Sequence, residues 1–150
     1  MGTFNKKIVA EFNPPRKWIL DRVLSYENED IDSESLENIG VKVSSSRISV
    51  PKGFVTDLAS VPRIVWNVVA PWDIARAAII HDLLYKKIRL YRAGGGDDNQ
   101  LIKKAKDASD NVFLMAMKDA DPSVSPWKIR SAFWSVRLFG KWSIIPREED

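Results

Sequence analysis

Ala77-Ala78-Ile79-Ile80-His81-Asp82-Leu83-Leu84-Tyr85 sets the only histidine of the chain, and a carboxylate beside it, inside an apolar helical run. On a helical projection Ile74, Ala77, Ala78, Leu84, Tyr85 and Ile88 surround His81, and Ile79 and Leu83 cover the opposite side, so little of this helix is left for water. A helix of that kind belongs at the centre of a fold. A charge within it needs a partner, because an unpaired buried carboxylate or imidazolium is costly enough to shift its pKa until it is neutral.

Upstream of this helix the chain reads as extended. Lys7 to Phe12 and Trp18 to Tyr26 are β-prone runs separated by Asn13-Pro14-Pro15-Arg16, a turn composition that lets the two pair as neighbours. Glu27 to Glu37 is acidic and Ser-rich and reads as a solvated loop or an excursion on the surface. Strand character returns at Val41-Lys42-Val43 and Arg47-Ile48-Ser49-Val50 and stops at Pro51-Lys52-Gly53. Downstream, Pro62 is placed to open a helix through Trp66 and Val69, which Pro71 interrupts. The second helix runs from about Asp73 to Tyr91 and ends at Gly94-Gly95-Gly96. Asp97 or Asp98 caps a third, with Leu101, Ala105, Ala108, Val112 and Met115 as its apolar stripe, and Ser125-Pro126 opens a fourth that Gly140 closes. Strands first and helices afterwards predict one α+β domain: a small N-terminal antiparallel β-sheet within residues 1–55, about four helices packed on one face within 60–142, and a short acidic tail within 143–150.

With 150 residues, 45% of them hydrophobic, the chain can build one real core. Six Trp and six Phe are generous for this length and leave aromatic surface for a partner. The absence of cysteine excludes disulfide staples and thiolate metal sites and fits a cytosolic setting. No apolar run is long enough to cross a bilayer, and Met1 to Lys7 lacks the apolar segment of a signal peptide, so the expectation is a protein made in the cytoplasm with no membrane partner. A net charge of +3 permits only loose attraction to nucleic acid.

Small polar groups concentrate in Gly53-Phe54-Val55-Thr56-Asp57-Leu58-Ala59-Ser60-Val61-Pro62-Arg63. Thr56, Asp57 and Ser60 suit a capped turn at the start of the next helix. Chemically, Asp57 joined to His81 and Asp82 makes a pocket of two carboxylates and an imidazole that suits one divalent metal ion and a bound water as nucleophile. Alternatively, His81 acts as a general base oriented by Asp57, with Thr56 or Ser60 as the nucleophile. The competing reading is structural: Asp57 accepts a hydrogen bond from His81, Asp82 meets Arg63, Arg76 or a backbone amide, and the cluster ties sheet to helices. Asp110 is a further carboxylate, near Phe113, Leu114 and Met117 on a second buried face, with Lys103 and Lys106 placed to neutralise it.

The fourth helix presents Trp127, Arg130, Trp134, Arg137 and Leu138 on one side and Ile129, Ala132, Phe133 and Val136, the expected core face, on the other. Alternating Trp and Arg make cation–π contacts and are enriched at binding hot spots; they also suit stacking on single-stranded nucleic acid. The structural alternative packs this face under the acidic loop. Trp142 extends either surface.

Four motifs together, Gly53-Phe54-x-Thr56-Asp57-Leu58-Ala59-Ser60-Val61-Pro62-Arg63, Ala77-Ala78-x-x-His81-Asp82-x-Leu84-Tyr85, Ser109-Asp110-x-x-Phe113-x-x-Ala116-Met117 and Val136-Arg137-x-x-Gly140, resemble the phage and prophage family called domain of unknown function 1353. Ser109 stands where that pattern usually has alanine. The resemblance implies a phage-encoded origin and marks Thr56, Asp57, Ser60, Pro62, His81, Asp82, Tyr85 and Asp110 as motif positions, without a reaction. The favoured expectation is a phage accessory protein made in the host cytoplasm, tail-associated or otherwise of the virion. In it the Asp/His cluster is structural, and Trp127, Arg130, Trp134 and Arg137 meet another phage protein. The rivals are a divalent-metal-assisted hydrolase using Asp57, His81, Asp82 and Asp110 with Thr56, Ser60 and Tyr85 in support, and a single-stranded nucleic-acid binder using the Trp/Arg face.

Overall fold

The structure, a computed structural model, describes residues 2–5, 8, 10–13, 17–56, 71–120, 123–148 and 150. The helix expected from Pro62 to Val69, and with it Asp57, Ser60 and Arg63, lies outside the described residues. The architecture is α+β, with six short strands early in the chain and the long helices after them.

The expected hairpin forms: β2 (Ala10–Asn13) pairs antiparallel with β3 (Lys17–Leu20), Ala10 facing Leu20 and Asn13 facing Lys17. The run from Trp18 to Tyr26, however, is two strands in two sheets. The chain bends at Asp21 and Arg22, and β4 (Leu24–Glu27) pairs instead with β1 (Thr3–Phe4) and β5 (Arg47–Val50). The physical reason is the core: Leu20, Leu24 and Tyr26 are all buried, and the polar pair between them is carried on an outward bend rather than through a strand. β3 belongs to the second three-stranded sheet, between β2 and β6 (Val55–Thr56). In β5, Ile48 and Val50 point into the core opposite Tyr26 and Leu24, while Arg47 and Ser49 point out, the period-two pattern of a half-buried strand. Val41-Lys42-Val43 forms no strand. Val41 is buried and its amide bonds the Leu36 carbonyl, which closes the preceding helix instead of a ladder.

That preceding helix corrects the reading of Glu27 to Glu37 as a solvated loop. α1 (Ser33–Glu37) is capped by Asp32, which accepts from the Ser35 amide at 3.2 Å and its hydroxyl at 2.7 Å. Glu34 and Glu37 face out, and Ile31, Leu36 and Ile39 join the core.

α2 (Pro71–Ala93) has Pro71 as its first described residue, and the expected interruption at Pro71 concerns a helix that lies outside the described residues. It ends at the glycine run, where Gly95 takes φ +94° and the Gly94 and Gly96 amides bond the Leu90 and Tyr91 carbonyls. Asp98 caps α3 (Asn99–Lys118) by accepting from Gln100 and Leu101. α4 (Pro126–Ser143) starts at Ser125-Pro126 as expected but runs through Gly140, which is buried within it. Past α4 the tail folds back: Asp150 accepts from the buried Arg89 at 3.0 Å.

α2 lies against β4 and β5 on one side and α3 on another, α3 in turn packs against α4, and α1 also rests on α3. α3 is therefore the middle helix of three, and any charge on its inner faces meets two neighbours.

Candidate functional site

Asp110, on α3, is wholly buried and gathers donors from all three long helices. Its Oδ1 accepts from His81 Nε2 at 2.9 Å and from Tyr85 Oη at 2.5 Å, both on α2. Its Oδ2 accepts from Lys106 Nζ at 2.8 Å, one turn earlier on α3, and from Arg137 Nη1 at 3.2 Å, on α4. Because a carboxylate only accepts, the shared proton of the first pair rides on His81 Nε2. His81 and Tyr85 are four residues apart on one helix and so stack, with ring centroids 4.0 Å apart, and Phe113 closes the other side of the imidazole at 4.8 Å.

Burial by itself would raise the Asp110 pKa, but the donors, His81 foremost, outweigh it and hold the carboxyl below the usual carboxylate range. The same burial, reinforced by the Asp110 charge, pushes the Tyr85 phenol far above its ordinary 10.0. Arg137 reaches Asp107 at 2.6 Å as well as Asp110, and Lys106 also donates to the Val136 carbonyl at 3.3 Å, so α3 and α4 are stitched twice. Gly140 belongs to the same assembly: a Cβ there would collide with Tyr85 Oη, which explains a glycine in mid-helix.

His81 is thus interior and held by an aspartate from an adjacent helix, and among the described residues that aspartate is Asp110. Asp57 and Ser60 lie outside the described residues. Asp82, one position and about 100° further round α2, faces β6 and accepts from Thr56 Oγ1 at 2.5 Å. His81 and Asp82 therefore serve two different joints, helix to helix and helix to sheet. Of the two lysines expected near Asp110, Lys106 makes the pair and Lys103 is exposed. No group of three or more His, Asp or Glu placed to hold a metal ion occurs among the described residues.

α4 carries a different feature. Ile129, Ala132 and Val136 face the core, as expected, with Phe133 partly buried against it and Gly140 buried beside them, while Trp127, Trp134, Leu138 and Trp142 form an outward row, each more than half exposed. Phe139 and Ile145 add to it, so six of the nine exposed large apolar side chains among the described residues sit on or just past α4. Arg130 stays on the exposed side, but Arg137 does not: it lies at the edge of the core face, three residues before Gly140, and turns inward to Asp107 and Asp110. The expected Trp/Arg ladder is replaced by lysine contacts, Lys141 4.6 Å over Trp142 and Lys128 5.9 Å over Trp127. Nor does the acidic segment cover this face, since α1 is docked on α3. Phe139, stacked with Trp142 at 5.8 Å, was not among the expected surface residues, although its place beside Leu138 on the helix pointed to it.

The family model that matches this chain is described as a protein of unknown function (DUF1353) and covers residues 35–136, about two thirds of the length. No curated protein and no solved structure matches.

Proposed function

The chain belongs to the DUF1353 family of proteins of unknown function, and from that premise we propose that it is a docking module: the Asp110 network locks the three long helices together, and the outward face of α4 binds a partner protein. The observation that carries this is the concentration of exposed Trp127, Trp134, Leu138 and Trp142 in one row on a helix whose other face is core. Contiguous apolar surface on a folded domain marks an interaction site, and Trp is the residue type most enriched at binding hot spots.

A catalytic use of His81 is the weaker reading because substrate must touch the reacting atoms, and the ring is sealed between Tyr85, Phe113 and Asp110. The setting we propose follows the resemblance: a phage-encoded accessory protein, made in the host cytoplasm, that meets another phage protein during assembly or in the virion.

A photo-crosslinking residue placed at Leu138, in phage-producing cells, tests the reading. It should yield a discrete adduct that is missing when the same residue is placed at Lys103, on exposed α3 surface, and that Trp134→Ala abolishes while the melting temperature stays the same. Equal adducts from both positions, or none from Leu138, would overturn it.

A further inference from the structure

The docking row is a ridge rather than a pocket. From Trp127 to Trp142 it spans fifteen steps of α4, about 22 Å at the helical rise. Its members recur at intervals of seven, four and four residues, the stripe that one helix presents to another. The charges that α4 itself carries all have one sign. Residues 126–143 contain Lys128, Arg130, Arg137 and Lys141 and no acidic residue. Arg137 is committed to Asp107 and Asp110 and Lys128 is engaged over Trp127, while Arg130 and Lys141 are exposed beside the row.

Resting on the docking reading above, we infer that the surface α4 receives is an acidic amphipathic helix of the partner, its apolar stripe against the tryptophan row and its carboxylates against Arg130 and Lys141. Two other occupants fit less well. A second copy of this chain laid α4 to α4 would bring like charges together along the whole ridge, which is repulsive at short range. Single-stranded nucleic acid wants flat faces in succession, and Leu138 interrupts the row with a side chain on which no base stacks. A leucine between two tryptophans is instead a surface that aliphatic side chains of a helix can fill.

The test uses three fluorescein-labelled probes against the full chain. One is a peptide of about three heptads with Leu at the seam and Glu at the flanking positions, the second is the same peptide with Lys for Glu, and the third is an oligothymidine of about 20 nucleotides. The Glu peptide should bind at least about tenfold tighter than the Lys peptide, the scale set by a few rim ion pairs. Its affinity should fall as salt rises from about 50 to about 300 mM. Arg130→Glu/Lys141→Glu should reverse the preference, and Arg130→Glu alone should narrow it if the double variant does not fold.

Equal affinity for both peptides, abolished by Trp134→Ala, would overturn the acidic-helix inference and leave the docking face standing. Failure of both peptides to bind would overturn the inference alone, with the Leu138 adduct deciding the docking reading separately. Binding that survives Trp134→Ala, or oligothymidine binding tighter than the Glu peptide, would overturn both.

Discussion

Asp110→Asn removes one charge from the point where α2, α3 and α4 meet, with almost no change of shape. The amide oxygen can still accept from His81 and Tyr85, but the NH2 that replaces Oδ2 then faces Lys106 Nζ and Arg137 Nη1, donor against donor. Breaking a buried ion pair by removing one partner costs about 3–5 kcal/mol. Here the lower end applies, because the Lys106 side chain is 12% exposed and that of Arg137 32% exposed, so both can swing toward water, and Arg137 keeps Asp107. We expect about 3 kcal/mol, read as a lower urea midpoint at neutral pH with an unchanged slope, or about 6–12 °C in melting temperature for a domain of this size. Tyr85→Phe deletes one hydrogen bond to a charged acceptor that keeps three other donors, so about 1.5 kcal/mol is expected. The double variant should cost measurably less than the two singles added, because both act on one network. An Asp110→Asn cost below about 1 kcal/mol, or strict additivity with Tyr85→Phe, would refute the structural role assigned to the cluster.

Other outcomes follow from the same geometry. Tyr85 and Tyr26 both hold their protons above the ordinary 10.0, so stability present below that pH should fall above it as the unfolded chain releases protons the folded chain keeps. Urea midpoints across that range should fall less steeply in Tyr85→Phe, by about one proton, and parallel curves would contradict the burial of its phenol. The depressed Asp110 pKa has the opposite sign: its stability is present above the ordinary 3.8 and is lost as pH falls through the folded value, and Asp110→Asn should flatten that acid limb. Gly140→Ala should destabilise by about 1–3 kcal/mol through the clash with Tyr85, against the gain that Ala normally brings to a helix interior, and thermal melts showing a gain would remove the close approach. Gly2→Ala should destabilise likewise, since its Cβ would sit 2.6 Å from Asp119 Oδ2, the oxygen that accepts from the Gly2 amide and Tyr26; an unchanged melt would contradict that tether.

Much of the fold was legible because it is written in local patterns. The apolar run around His81, the cap at Asp98, the Ser125-Pro126 start and the pairing of Ala10–Asn13 with Lys17–Leu20 each depend on neighbours within a few residues. The helix α1 was legible too: Asp32 three residues before Ser35, and Leu36 placed to be buried, are the signals of a short capped turn within an otherwise acidic segment. What no local pattern contains is the joining of elements. Asp110 lies 29 residues from His81 and 27 from Arg137, and its nearer lysines supplied an adequate account without either. Gly140 reads as a helix stop until Tyr85, on another helix, is seen to need its space. Arg137 follows Trp134 by three residues, which suggests the outer row, but it also precedes Gly140 by three, at the edge of the core face, and pairs inward with Asp110.

On the proposed reading, a sealed network holds the helices and an exposed face binds the partner. Adduct formation from Leu138 in the Asp110→Asn protein, kept well below its own melting temperature, tests that division most directly. A wild-type adduct yield from the destabilised but folded protein is predicted, and loss of the adduct with the fold intact would contradict it.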